Sequence, residues 1–263
     1  MRHVPMIIEP EVGDPDSAAV RVDGTVAGRP YRFMLDTGAA RTQLEADEYT
    51  RALSAEAGDS SLGALGGRSA DPVVTVTDLV VGPLQAARLA VARVEPGGPA
   101  AHNLLGMDVL GRYRCHFRFG AGVLEVEDPP RRRADRDLLV SNRGHAYVGV
   151  QWPGVTGQAC WDSGSGATIV NRDFWLGHPE LFSELGTSVG TDSSGTQAAT
   201  PVLMMAGPVI GQREFTTHRV VAVDLSRVNR TLEHPMDLIL GYPTLRQADW
   251  LFDFPAMRWR LTG

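Results

Sequence analysis

The chain has 263 residues, 43% of them hydrophobic, with 29 glycines, 17 prolines and a formal net charge of -6. That length suits two domains of about 130 residues or one large one, long enough to bury a core, and the composition is globular rather than disordered. The acidic balance argues against a general nucleic-acid binder, which needs a basic surface to neutralise phosphates.

All 25 basic residues are arginine. Without lysine there is no Schiff-base or pyridoxal-phosphate chemistry, no lysine of a phosphate-binding loop and no serine–lysine dyad. The seven histidines stand in no zinc-ligand spacing, and the two cysteines, Cys115 and Cys160, form no CxxC. Neither a metal nor a cofactor is expected, and no disulfide framework. The N-terminus, MRHVPMIIEPEVGDP, lacks the apolar region of a signal peptide. The longest apolar run, Val202 to Ile210, is broken by Gly207 and Pro208 and is too short for a bilayer. The expectation is a cytoplasmic, reduced, soluble protein that binds neither membrane nor nucleic acid.

In chain order, VRVDGTVAGRPYRFML reads as strand, Gly-containing turn and second strand, ending in Asp36-Thr37-Gly38. Glu45 to Ala57 has a mixed polar and apolar pattern that predicts a helix, and Leu62 to Ser69 is rich in glycine and serine. The strand-like VVTVTDLVVG follows, then NLLGMDVLGRY, with apolar residues before a glycine and a short amphipathic helix, then the alternating CHFRF. EDPPRRRADRD, residues 127–137, reads as a solvated linker.

After the linker the pattern returns. YVGVQWPGVTGQACW leads to Asp162-Ser163-Gly164; Asn171 to Leu185 predicts a helix; Gly190 to Thr196 is rich in glycine and serine. FTTHRVVAVDL, DLILGYPTLRQ and WLFDF repeat the remaining order. The division expected is an N-terminal lobe over 1–130, a linker over 131–137 and a C-terminal lobe over 138–263. Short strands, glycine turns and few helices point to a mostly β protein made by tandem duplication.

The two Asp-Thr/Ser-Gly triplets are the candidate chemistry. Composition alone predicts roughly 0.25 such triplets in a chain like this one. Two at equivalent places in matching halves, each followed at a distance by an apolar pair and glycine (Gly106 and Gly241), are far harder to obtain by chance. Two carboxylates brought together cannot both ionise, so the pair holds one proton. The ionised member can act as general base on a water between them, and the protonated one can donate to a carbonyl oxygen. Gly38 and Gly164 let the loops approach closely. Thr37 and Ser163 can bond across to the opposite loop and hold the separation.

On these residues the chain resembles the retropepsin-like and pepsin-like aspartic proteases. FMLDTGA is similar to the retropepsin active-site strand, CWDSGSGATIV to the second-lobe motif of a two-lobed enzyme, and NLLGMDVLGRY and LILGYPTLRQ to the segment behind each active-site loop. The resemblance spans roughly residues 20–126 and 146–262 and implies an all-β, bilobal acid-protease fold of bacterial type. Two homologous β-barrel-like lobes with a few short helices would be fused in one chain. It implies an aspartic endopeptidase acting on peptide or protein substrates as a monomer. Asp36 and Asp162 would be catalytic, with Thr37, Gly38, Ser163, Gly164 and Ser165 supporting the loops. The alternative is a weak or inactive peptide-binding module of the same fold.

Some positions depart from the family pattern. The candidate flap tips, LGALGGR around Gly63 to Gly67 and TDSSGT around Asp192 to Thr196, contain no tyrosine. Asn103 stands where an acid often precedes the apolar pair, while Asp237 fills that place in the second half. Position 39 is Ala where Ser165 keeps a hydroxyl. That hydroxyl is expected to donate to Asp162, making Asp162 the ionised base and leaving the proton on Asp36. Cys160, Trp161 and Met204-Met205 read as core, and Gly58-Asp59-Ser60 only faintly resembles a serine nucleophile loop.

Overall fold

The structure, a computed structural model, describes residues 2–11, 14–58, 61–65, 68–98, 101–128, 130, 132–192 and 194–263. It is the all-β, two-lobed architecture expected, with three main sheets. An eight-stranded sheet belongs to the first half and a ten-stranded one to the second. A six-stranded sheet joins them, in the order Arg2–Pro5, Val123–Val126, Arg114–Arg118, Asp249–Asp253, Arg258–Thr262, Arg136–Asp137. Three of its strands come from the first half and two from the second, Arg136–Asp137 being added from the linker, and the halves meet where Cys115 pairs with Phe252 and Phe117 with Trp250.

Alternation writes most of these strands. In Val73–Val81 the buried residues are Val74, Val76, Leu79 and Val81, and their partners Val91, Leu89, Ala86 and Leu84 are buried opposite them. The buried face switches between Val76 and Leu79, where Asp78 adopts a φ of 51°. That turn lets one hairpin wrap the core with both ends.

The two halves are built alike at their centres. Leu104–Leu105 runs parallel to Arg29–Leu35, pairing Leu105 with Leu35; Leu238–Leu240 runs parallel to Val155–Trp161, pairing Ile239 with Cys160. Parallel strands in this position are covered on both faces, which is why these segments read as continuous apolar runs rather than alternating ones. Each therefore passes beside the strand that delivers an Asp triplet.

The helices are shorter than the sequence predicts. Only Glu48–Arg51 is helical within 45–57, one turn closed by a capping box between Asp47 and Thr50. Ala55–Glu56 instead pairs with Val73–Val74. In 171–185 the helix is Arg172–Gly177; Pro179–Leu181 follows as a 3-10 turn, and Phe182–Thr191 is a strand. Gly177 and Pro179 stop the helix, and so short a helix holds only through packing, here of buried Phe174 against Trp152 at 5.9 Å.

The segment read as a solvated linker is tied down. Arg136–Asp137 joins the shared sheet beside Arg258–Trp259. Buried Glu127 accepts from Arg114 and from Arg132, and Arg114 also pairs with Asp253. Charges that look solvated in sequence here meet opposite charges on the sheet. Pro129 and Arg131 lie outside the described residues.

Beneath the shared sheet, Phe117, Trp161, Trp250 and Phe252 form one aromatic cluster. Trp161 lies with its ring centroid 4.7 Å from both Phe117 and Phe252. Its indole Nε1 is buried with no hydrogen-bond partner among the described residues. The residue preceding Asp162 is thus locked into the region where the halves join.

Candidate active site

Asp36 and Asp162 stand just past the ends of Arg29–Leu35 and Val155–Trp161. The backbone of each is held by its neighbouring apolar strand: Asp36 N–H donates to Leu105 O at 3.1 Å and Asp162 N–H to Leu240 O at 3.0 Å. The loops then grip each other. Thr37 Oγ1 donates to Trp161 O at 2.9 Å and accepts from Ser163 N–H at 3.0 Å. Ser163 Oγ donates to Leu35 O at 2.9 Å and accepts from Thr37 N–H at 3.2 Å. All four groups are buried, so every donor and acceptor in the exchange matters.

The glycines have a steric reason. A Cβ on Gly38 would lie 2.6 Å from Asp162 Oδ2, and one on Gly164 would fall on the Asp36 carboxyl. Only glycine lets each loop pass this close to the opposite aspartate.

The carboxyls of Asp36 and Asp162 hydrogen-bond to each other. Burial raises both above the ordinary carboxylate range, and Asp36, also facing the charge of Asp162, is pushed up to about 8. Backbone donors oppose this. Ala39 N–H reaches Asp36 Oδ1 at 2.9 Å and Gly164 N–H reaches Asp162 Oδ1 at 2.9 Å. The Gly38 N–H, near both carboxyls, and the Ser165 N–H, whose hydrogen bond goes to the Asp162 backbone carbonyl at 3.4 Å, act in the same direction. The two carboxyls cannot both ionise at this separation, so the pair holds one proton between them.

The Ser165 hydroxyl adds nothing to these donors. It donates to Ala167 O at 2.6 Å, so the expectation that it donates to Asp162 is corrected. A short local turn offers it a nearer carbonyl than the carboxylate.

Each loop is also backed by a glycine-started helical turn. Met107 N–H donates to Ala39 O and Tyr242 N–H to Ser165 O, both at 2.9 Å. Gly106 N–H and Gly241 N–H donate to the hydroxyls of Thr42 and Thr168 at 3.1 and 3.2 Å. Asn103 and Asp237 accept from different strands: Asn103 Oδ1 from Glu45 N–H, after the first Asp loop, and Asp237 Oδ2 from Gln158 N–H, before the second, both at 2.9 Å.

Two features near the loops are not apparent from sequence. The imidazole of His145, from the second half, is buried near the Gly38 carbonyl, and burial lowers its pKa. The candidate flap tips also meet: Leu65 N–H donates to Asp192 Oδ2 at 2.8 Å. Asp192 Oδ1 meanwhile accepts from Ser194 N–H at 2.9 Å and Thr196 N–H at 3.1 Å. Ala64 and Leu65 pack on an apolar cluster of the second half that includes Tyr147, Cys160, Met236 and Ile239. Gly66, Gly67 and Ser193 of these tips lie outside the described residues.

Cys160 is buried in that cluster, its thiol pushed up by burial and by the charges of Asp162 and Asp36, so it is not a thiolate. Met205 is fully buried and Met204 partly so. Of Gly58-Asp59-Ser60, the last two lie outside the described residues. Among the described residues His116, Glu125 and Glu127 could bring ligand atoms within 4.8 Å of one another. Arg114, Arg118 and Arg132 already neutralise those carboxylates, which disfavours a cation there.

Residues 22–112, which include Asp36-Thr37-Gly38, match the protein family described as "gag-polyprotein putative aspartyl protease". No curated protein matches the sequence. Among solved structures, the chain is similar to basic 7S globulin from soybean, with a TM-score of 0.54 at 8% identity, over 100% of this chain and 96% of the other. At that identity the likeness is one of fold.

Proposed function

The chain is aspartic-protease-like in its family match and its bilobal fold, and from that premise we propose that it is an aspartic endopeptidase with Asp36 and Asp162 as its dyad. The observation that carries this reading is the hydrogen-bonded pair of buried carboxyls, both raised, at the junction of two interlocked loops. A pair that shares one proton has an acid and a base in place together.

In the proposed reaction, the Asp162 carboxylate takes a proton from a water as its oxygen bonds to the scissile carbonyl carbon. Asp36 gives its proton to the carbonyl oxygen. The tetrahedral diol then collapses: Asp162 returns a proton to the leaving nitrogen, the C–N bond breaks, and a diol hydroxyl returns its proton to Asp36. Both carboxyls end as they began. Backbone N–H groups on each carboxyl hold them in place without reorganisation. With both aspartates on one chain, the active species is a monomer, and no metal or cofactor enters the reaction.

The test is cleavage of a peptide library across pH by wild type, Asp36→Asn and Asp162→Asn. Turnover by wild type alone, with folded variants, supports the proposal; turnover by either variant would overturn it. A second reading, peptide binding without turnover, is favoured by the Leu65–Asp192 contact, which ties one flap tip to the other. Binding of a hydroxyl-bearing peptide isostere with no cleavage of any peptide would select it.

A further inference from the structure

We propose that His218 is a positioning residue for Asp162, acting through the buried hydroxyls of Thr244 and Thr168 and released by its own protonation; this rests on the dyad reading above. His218 opens the strand His218–Val223 in the sheet of the second half. Its Nε2 lies 2.7 Å from Thr244 Oγ1, which lies 2.8 Å from Thr168 Oγ1. Thr168 Oγ1 in turn accepts from Gly241 N–H at 3.2 Å. The next amide, Tyr242 N–H, donates to Ser165 O at 2.9 Å, in the loop whose Gly164 N–H reaches Asp162 Oδ1. A row of hydrogen bonds joins the ring to the segment that backs the Asp162 loop.

The partners fix which way each proton points. His218 Nδ1 lies 2.7 Å from Thr216 O, which can only accept, so the ring proton sits on Nδ1 and Nε2 accepts. Gln247 Nε2 stands farther off, 3.3 Å from Nδ1, and donates to Pro243 O at 3.0 Å. Thr244 therefore donates to Nε2, and Thr168 donates to Thr244. A proton on Nε2 turns the ring into a donor and reverses the row. Thr168 then needs a new acceptor, and the one in reach among the described residues is Gly241 O at 3.4 Å. That carbonyl already accepts from Thr244 N–H and Leu245 N–H, both at 3.0 Å. Thr168 and Thr244 are fully buried, so a proton stranded there is costly.

The duplication supplies the comparison. In the first half Thr42 takes the place of Thr168: its hydroxyl accepts from Gly106 N–H at 3.1 Å and donates to Asp108 Oδ1 at 2.6 Å. Asp108 stands two residues after Gly106, whereas Pro243, with no acceptor on its side chain, stands two residues after Gly241. The second half hands the threonine proton to Thr244 and His218 instead. A carboxyl still accepts once it is protonated, but a protonated imidazole accepts nothing. Only the second loop's support is lost when its last acceptor takes a proton.

The ring can take that proton, because it lines an open cavity of about 410 Å³ together with Thr217, Arg219 and Arg246. The charges that face it are Asp16 from Asp14–Val26, Arg246 after the turn Tyr242–Leu245, and Arg219 on its own strand. They are paired, Arg246 with Asp16 at 2.8 Å and Arg219 with Asp14 at 3.3 Å. Burial lowers the imidazole below its ordinary pKa, against the opposing pull of the Thr216 carbonyl and of Asp16. The ring is neutral at neutral pH and charged in acid.

The experiment follows the His218 ring and the Gly241 and Tyr242 amides by NMR across pH, in wild type, His218→Gln, Thr244→Val and Thr244→Ser. In wild type the two amides should shift with the midpoint of His218. Thr244→Val keeps the charge on His218 but cuts the row, so the amides should stop following it, and Thr244→Ser should restore the response. His218→Gln offers Thr244 an acceptor oxygen that takes no proton, so its amides should stay in place through that range. On a cleaved peptide, wild-type kcat should fall about tenfold as His218 charges, with KM within about twofold, as expected when a reacting group loses its orientation. His218→Gln should move that acid limb to lower pH. The NMR readings decide the row even if no peptide is cleaved, in which case the dyad reading alone is lost. If Thr244→Val does not fold, Thr244→Ala cuts the same row. Amides that ignore His218 in wild type or follow it equally without the Thr244 hydroxyl would overturn the proposal, as would a Gln variant with the wild-type acid limb.

Discussion

Thr37 and Ser163 exchange hydrogen bonds across the join of the two halves: each hydroxyl oxygen accepts the other residue's backbone N–H, at 3.0 and 3.2 Å. Their hydroxyl protons go on to Trp161 O and Leu35 O, the carbonyls just before the opposite loops. Replacing Thr37 by Val keeps the shape but strands the Trp161 carbonyl and the Ser163 N–H. Thr37→Val should therefore cost about 1–3 kcal/mol for each buried group left unpaired. Thr37→Ser should recover most of it. Chemical denaturation of the three proteins checks this, and a Val variant as stable as wild type would show that the grip contributes little.

Asp36 sets a pH dependence of stability. Its folded pKa is raised above the unfolded value by burial first and Asp162 second, so its contribution is fully present below about pH 4. It is lost as pH rises through the folded value of about 8. Asp36→Asn removes the ionisable group, and its Tm relative to wild type should climb between those limits. Thermal melts at several pH values give the answer; a constant difference would mean that Asp36 titrates normally.

Ala39→Ser should leave the upper limb of the activity profile where it is. The counterpart hydroxyl, Ser165 Oγ, goes to a backbone carbonyl 2.6 Å away rather than to Asp162, and a serine at 39 has no reason to act otherwise. Parallel pH profiles of variant and wild type test the point. A limb displaced to lower pH would show the new hydroxyl on Asp36.

Asp192→Ala should loosen the first flap tip. Leu65 N–H loses its acceptor at 2.8 Å, and amide exchange at Leu65 should quicken about tenfold or more, the equivalent of a typical hydrogen bond of about 1.5 kcal/mol. Asp192→Asn keeps an acceptor oxygen and should exchange more slowly than the Ala variant. Equal rates in all three proteins would mean that packing of Ala64 and Leu65 alone holds the tip.

Much of the centre was legible from residues alone. Asp36-Thr37-Gly38 and Asp162-Ser163-Gly164 declare themselves because a close-approach loop needs glycine, a clamp needs a hydroxyl, and the duplication shows both twice. Gly106 and Gly241 are legible for the same reason: an added Cβ at Gly106 would lie 2.7 Å from the Arg41 backbone, and one at Gly241 would strike Ala167. The lengths of the helices were not, because a mixed polar pattern over 45–57 or 171–185 suits a turn that leads into a strand as well as a helix. Whether Glu127 and Arg132 are solvated or paired depends on Arg114, a residue the linker meets only in the fold. The Leu65–Asp192 contact was decided by tertiary structure alone. A side chain's propensity is local, but its hydrogen-bond partner is whatever group folding brings within about 3 Å, and here that partner lies more than a hundred residues away.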